Sequence, residues 1–306
     1  MKNIILDTDL GGDCDDASAI ALANKFHNRK EANVLAMTYS NNNASGALLT
    51  DAINGYYGNN FPMGILKNNV LKIEYGNDFA DKALDILKVK KDFGKLKNAN
   101  DLYYEKMIDA ENKSVSVICI GQLRNIATFL NSDFNGVSGS EIFNRKVKEL
   151  YIMGGYFNQE SENHSFCGFV MPGEYNIVTD LDSAHTVMNK VTCEITFCDF
   201  DVGVDVLTFE EFSTNYNEKY PVSVCYKLYQ NGARHSWDPL TVLYAIKGDN
   251  EYFTSEKGNV TITEKGRTIF VEGPDGNHKK VQLNKPKEEV AKYLESFFDE
   301  ELKRRN

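Results

Sequence analysis

Cysteine pairs in C-x-x-C spacing are absent from this 306-residue chain. Its six cysteines (Cys14, Cys119, Cys167, Cys193, Cys198, Cys225) stand apart, several in apolar, strand-like surroundings. That pattern suits free buried thiols in a reducing compartment rather than a disulfide framework. No apolar stretch is long enough to span a bilayer. The first residues run straight into an apolar strand, so the expectation is a cytoplasmic protein without a signal peptide, in which Asn43-Ala44-Ser45 is a coincidental sequon. Positive charge is in short supply: 34 Lys and Arg face 44 Asp and Glu, a net charge of −10. This argues against nucleic acid or an anionic membrane as partner. The basic clusters at 88–97 and Lys303-Arg304-Arg305 lie among polar or acidic residues and read as solvated faces. There is no internal repeat, low-complexity segment or convincing linker, and 42% hydrophobic composition supplies a full core. One α/β domain over residues 1–306 is the economical expectation.

What is present is concentrated at the start. Ile4-Ile5-Leu6 is a β-branched-rich run that stops abruptly at Asp7-Thr8-Asp9-Leu10-Gly11-Gly12-Asp13-Cys14-Asp15-Asp16. Ala17, Ile20 and Ala21 then resume the apolar pattern at helical spacing, with Asp13, Asp15 and Asp16 in the cap and first-turn region. This is a strand–loop–helix unit whose loop lies at the carboxyl end of a strand, where open α/β sheets place their ligands. A helix N-terminus accounts for Asp15 and Asp16. It does not account for Asp7 and Asp9, two positions apart directly after a buried strand. A hard divalent cation would neutralise the cluster, because Ca²⁺ and Mg²⁺ take carboxylate oxygens as ligands.

Two other motifs fail on this stretch. An EF-hand loop starting at Asp7 would need an oxygen ligand where Gly11 stands, Glu where Ser18 stands, and a helix rather than a strand before it. An aspartyl-phosphate enzyme of the haloacid dehalogenase type usually has Thr or Val at the position of Gly11, and it does not need the Asp15-Asp16 pair.

Further βα units follow. Asn33–Met37 reads as a strand, then Asn41-Asn42-Asn43 as turns before a helix over 44–57. A helical stretch is expected at 79–87, a buried strand at 114–120 followed by Gly121-Gln122-Leu123-Arg124-Asn125, and a strand at 149–153 ending in Gly154-Gly155. Residues 156–173 read as a long loop leading to Gly173-Glu174-Tyr175-Asn176, with a helix from Asp180 to about Asn189 and a strand at 194–198. The only tryptophan, Trp237, precedes Asp238-Pro239, where Asp238 suits an N-cap and Pro239 the first helical turn. The stretch 258–281 alternates like a small β-meander, and 286–304 reads as a closing amphipathic helix.

Taken together, these pieces resemble the inosine–uridine-preferring nucleoside hydrolase family. The resemblance rests on Asp7-Thr8-Asp9…Asp15-Asp16-Ala17, Asn41-Asn42, Gly121-Gln122-Leu123-Arg124-Asn125-Ile126-Ala127, Met153-Gly154-Gly155, Gly173-Glu174-Tyr175-Asn176 and Trp237-Asp238-Pro239-Leu240. It implies an open, mostly parallel, Rossmann-like α/β sheet flanked by helices, with the active site at the C-terminal edge of the strands. It also implies bound Ca²⁺, a small-molecule ribonucleoside as substrate, cleavage of its N-glycosidic bond, and a homodimer or homotetramer. Carried over residue by residue, Asp9, Asp16, Asp238 and the carbonyl of Ile120 correspond to calcium ligands. Asp9 is also the implied general base, and Asp7 supports its loop. Asp15, Asn176, Asp238 and one of Asn41 or Asn42 correspond to substrate contacts, and Glu174 to the partner of the 5′-hydroxyl.

The chain departs from the family pattern at three places. Trp237 stands where many relatives have a His that protonates the leaving base. Purine-specific members have Trp there, so the resemblance implies activation of a purine by stacking, with His164 and His235 as other candidate acids and a plain pocket wall as the alternative. Three residues (Gly12, Asp13, Cys14) intervene before Asp15-Asp16 where relatives have one, which leaves open whether Asp13 or Asp15 faces the ribose. Gly168 replaces an Asn that helps bind the 5′-hydroxyl. A hydrolase of another riboside (nicotinamide or a modified base) and a non-catalytic nucleoside-binding homologue are the competing readings.

Overall fold

The computed structural model describes residues 1–66, 79–166 and 169–303. Strand β1 (Lys2–Thr8) forms the middle of a ten-stranded sheet. On one side it pairs in parallel with β2 (Ala32–Tyr39), and β3 (Met63–Ile65) and β4 (Lys97–Asn98) continue outward in the same direction. The chain then returns to the other side of β1 as β5 (Val115–Cys119). A two-residue hairpin, β6 (Asp133–Phe134) with β7 (Val137–Ser138), precedes β8 (Val147–Met153), which pairs with β5. The order therefore reverses between β1 and β5, which opens a crevice above their carboxyl ends.

Alternation along the strands builds two cores. Ile4 and Leu6 face one apolar cluster with the helices Asp15–Asn28 and Trp237–Lys247, while Ile5 faces the other with Val117, Cys119 and the helix Arg124–Asn131. Both faces of the sheet are covered, which explains why its central strands read as continuous apolar runs.

The expected long loop at 156–173 instead contains a two-stranded hairpin, β9 (His164–Phe166) with β10 (Phe169–Met171). Each arm is three residues long, too short to show period-2 alternation in the sequence. Strand β11 (Glu194–Cys198) pairs with β8 as the expected fifth parallel strand. A minimal ladder of β12 (Leu207–Thr208) and β13 (Arg234–His235) sets the entry to the Trp237 helix. That helix starts at Trp237 with Ser236 at its cap, so Asp238 sits in the first turn and its side chain is released from the expected capping role. The expected meander is present as β14 (Phe253–Ile262), β15 (Thr268–Glu272) and β16 (His278–Leu283), and it extends the main sheet. β16 is parallel to β11, whereas β14 and β15 form the antiparallel edge. The closing helix spans Lys287–Ser296, breaks, and resumes at Asp299–Lys303. Gly168, Cys167 and the terminal Arg304-Arg305 lie outside the described residues.

Candidate active site

A cavity of about 420 Å³ opens at the carboxyl ends of β1, β5 and β8, with one acidic and one aromatic wall. The acidic wall comes from the turn after β1. Asp7 lies in the buried part of that strand and is not among the residues lining the cavity: its carboxylate accepts from Asn125 Nδ2 at 2.9 Å and Tyr103 OH at 3.2 Å. Burial pushes its pKa up to about 7 against those hydrogen bonds. Asp9 does line the cavity and accepts from Gln122 Nε2 at 2.7 Å. Gly121 makes room for it, since a Cβ there would lie 2.8 Å from Asp9 Oδ1.

Asp16 accepts from the Thr8 hydroxyl and from the Asp9 backbone N–H. Asp15 accepts the Asp238 backbone N–H at 3.1 Å, which ties the first helix to the Trp237 helix. Burial raises the pKa values of Asp9, Asp15 and Asp238, and neighbouring carboxylates raise them further. Burial and the Asp13 charge bring Asp16 to about 7. Asp13 is the exception: burial would raise it, but the Arg234 guanidinium 2.8 Å away holds it below the usual carboxylate range.

This donor set fits a hard divalent cation. Asp13, Asp16 and Asp238 each offer an oxygen, and the three lie within 4.8 Å of one another. Asp9 and Ile120 border the same cavity. The Asp13 and Asp15 carboxyls face each other, and among the described residues no donor reaches Asp13 Oδ1 or Asp15 Oδ1, so the wall is rich in acceptor oxygens.

Between the walls, Glu174 caps the short helix Tyr175–Val178 and accepts backbone N–H groups from Gly155 (3.1 Å) and Asn176 (2.9 Å). Burial raises it to about 7 despite these bonds. The Asn176 side chain donates to the Met153 carbonyl at 3.2 Å and lies 3.5 Å from that of Ile120. The aromatic wall consists chiefly of Phe166, Phe200, Trp237 and Tyr229. Trp237 is 7% exposed, donates Nε1–H to the Phe200 carbonyl at 2.8 Å, and packs its ring against Phe166, Phe200 and His235. Gly203 permits this, because a Cβ there would meet Trp237 Cδ1 at 2.5 Å. His164 lines the cavity with Nε2 on the Gly173 carbonyl at 2.9 Å, whereas His235 turns its Nδ1 to the Val204 carbonyl outside the lining.

The structure thus gathers Asp9, Asp15, Asp16, Ile120, Glu174, Asn176, Trp237 and Asp238 around one cavity. Asn41 and Asn42 are not among its lining residues: Asn41 Oδ1 accepts the Asn42 backbone N–H, and Asn42 Oδ1 lies 3.4 Å from Arg124 Nη1. Sequence reasoning missed Arg234, Phe166, Phe200 and Tyr229, and it left Asp13 as a mere alternative to Asp15. Both aspartates line the cavity. An isolated Arg three residues before the only Trp was the available signal.

A doubly wound α/β sheet with a carboxylate-rich site at its switch point defines the class. The family model described as inosine-uridine preferring nucleoside hydrolase matches residues 4–295, and the chain belongs to that family of metal-dependent enzymes. The inosine-uridine preferring nucleoside hydrolase from Bacillus anthracis superposes with a TM-score of 0.70 at 18% identity, covering 97% of this chain and 99% of that one. A plant nucleoside hydrolase, the PpNRh1 enzyme, gives 0.71 at 20% identity over 99% of both chains. The type III effector protein XopQ, solved in complex with adenosine diphosphate ribose, gives 0.68 at 13% identity over 98% of this chain and 93% of that one. A comparison with curated proteins finds no match.

Proposed function

We propose that this chain is a calcium-dependent hydrolase of purine ribonucleosides, releasing ribose and free base for nucleoside salvage. The observation that carries the reading is the division of one cavity, of about 420 Å³, into an acidic and an aromatic wall. A nucleoside has the same two halves.

Cleavage of the N-glycosidic bond builds positive, oxocarbenium-like charge on the sugar. Fixed carboxylates at Asp9, Asp15, Asp16 and Asp238 stabilise that charge without reorganising. Asp16 and Asp238, with Asp9, Asp13 and the Ile120 carbonyl at the same cavity, would hold the calcium ion, which when bound lowers the pKa of water and offsets the carboxylates' repulsion. Asp9, raised by burial and by Asp16, is the base that takes the proton from the attacking water. Glu174 and Asn176 orient the sugar. The departing purine is held by Phe166, Phe200 and Trp237, and stacking on Trp237 would assist its departure.

The test is release of free base from inosine, adenosine, guanosine, uridine, cytidine and nicotinamide riboside, as purified, chelated and calcium-restored. Metal-dependent release of a purine is the expected result. Release from nicotinamide riboside alone would move the substrate, and no release with riboside still bound would make the chain a binding protein. Trp237→Ala separates two roles for the indole. A loss of about 100-fold in kcat at constant KM identifies leaving-group assistance, whereas a rise in KM alone identifies a wall.

A further inference from the structure

Strand β15, at the edge of the main sheet, buries only its first residue. Thr268 is 1% exposed, whereas the four residues after it are half-buried or exposed. A hydroxyl buried in this way needs a hydrogen bond to offset its lost hydration. Thr268 Oγ1 accepts the Tyr156 backbone N–H at 2.8 Å, from 112 positions away in the sequence. The N–H groups on either side are used alike: Gly155 donates to Glu174 Oε2 at 3.1 Å and Phe157 to Asp199 Oδ2 at 3.2 Å. Three consecutive backbone donors therefore end on three side-chain oxygens from three remote segments. Residues 155–157 belong to no helix or strand, so these bonds take the place of a ladder. Gly155 has a φ of +89°, and a Cβ there would lie 3.2 Å from Thr268 Oγ1.

This turn touches both ends of the cavity without lining it. At one end it holds Glu174. At the other, the Gly155 carbonyl accepts the Phe200 N–H at 2.8 Å, and the Tyr156 ring packs against Phe200 (4.8 Å) and His164 (5.3 Å). Glu174, Phe200 and His164 line the cavity, whereas Tyr156, Phe157 and Thr268 do not. Phe200 in turn holds Trp237, whose indole N–H donates to the Phe200 carbonyl at 2.8 Å. We propose that Thr268 is a positioning residue: its hydroxyl fixes the 155–157 turn, and through that turn the Glu174 carboxylate and the Phe200–Trp237 pair. Removing the acceptor leaves the Tyr156 N–H without a partner, and the turn then shifts to find another. The kinetic consequence rests on the riboside reading of the cavity; the geometric one does not.

Two substitutions separate the hydroxyl from the shape of the side chain. Thr268→Val keeps the shape and loses the acceptor, and Thr268→Ser keeps the acceptor and loses the methyl group. The readouts are kcat and KM for inosine and the fluorescence emission of Trp237, the only tryptophan in the chain. Thr268→Val should lower kcat/KM by about 10-fold and shift the emission, while Thr268→Ser stays within about 2-fold of the wild type with its emission unchanged. The opposite order, with Thr268→Val like the wild type and Thr268→Ser impaired, would show that the side chain only fills space and would overturn the proposal. Wild-type kinetics in a folded Thr268→Val would overturn it as well. Should Thr268→Val fail to fold, Thr268→Ala compared with Thr268→Ser isolates the same hydroxyl, and equal kinetics in those two would overturn it. The emission requires no substrate, so it decides the matter if no riboside is hydrolysed: a shift in Thr268→Val and none in Thr268→Ser upholds the positioning role while the hydrolase reading falls, and no shift in either overturns both.

Discussion

Asp199 shows how burial writes pH dependence into a single side chain away from the reacting atoms. It follows β11 and accepts the Phe157 backbone N–H at 3.2 Å, and burial, with the charge of Asp201 adding to it, lifts its pKa from 3.8 to about 7. A carboxyl whose folded pKa is raised binds its proton more tightly in the folded state. Its stabilising effect is complete below the unfolded value of about 4 and is lost as pH rises through about 7, with a ceiling on the order of 4 kcal/mol. Asp199→Asn keeps an acceptor for Phe157 and removes the titration. The Tm of the variant relative to the wild type should therefore be clearly higher at about pH 8 than at about pH 5, as thermal melts at both pH values would show. A constant offset between the two proteins would mean that Asp199 does not titrate in this window.

At the scale of elements, legibility followed length and periodicity. The sequence reading of β11 coincides with the observed strand at Glu194–Cys198, and β1, β2, β5 and β8 differ from it only at their ends, because fully buried parallel strands carry long apolar runs. The β9–β10 hairpin was invisible, since three-residue arms carry no period and its pairing is decided by tertiary contacts. That gap mattered for the site as well, because the hairpin delivers Phe166 to the aromatic wall. Phe166 meets the rings of Phe200 at 5.1 Å and Trp237 at 5.5 Å, both nearly edge-on. The hairpin adds nothing to the main sheet, so truncating this ring should affect binding more than folding. Phe166→Ala is expected to raise KM for a purine nucleoside by about 10-fold, with kcat within about 3-fold and Tm little changed. A large drop in Tm at unaltered KM would show that the ring only braces the fold. Charged residues were legible where they cluster in sequence, as at Asp7–Asp16. They were illegible where the partner is remote: Arg234 lies 221 positions from Asp13, and no local pattern announces that pair.

For the molecule as a whole, the acidic site is a store of repulsion that the fold must hold together. Asp15, Asp16 and Asp238 are buried close to one another with Asp9 half-buried beside them, and Arg234 is the cation that pairs with Asp13 and stands 3.9 Å from Asp15. Burial first, and repulsion from neighbouring carboxylates second, raise these four carboxyls, so the metal-free protein relieves the strain by holding protons to higher pH than free carboxyls would. A divalent cation does the same work only after displacing those protons, which makes its binding weaken as pH falls. Calcium at 100 times its dissociation constant should stabilise the fold by about 2.7 kcal/mol, a rise in Tm of roughly 5 °C. At a fixed calcium concentration the gain should be clearly larger at about pH 8 than at about pH 5.5, and magnesium, which demands tighter octahedral geometry, should give less. Differential scanning calorimetry of chelated and calcium-restored protein at the two pH values measures this directly. An equal gain at both would place the bound cation away from the Asp9–Asp16–Asp238 wall, because only ligands that must shed protons make the stabilisation depend on pH.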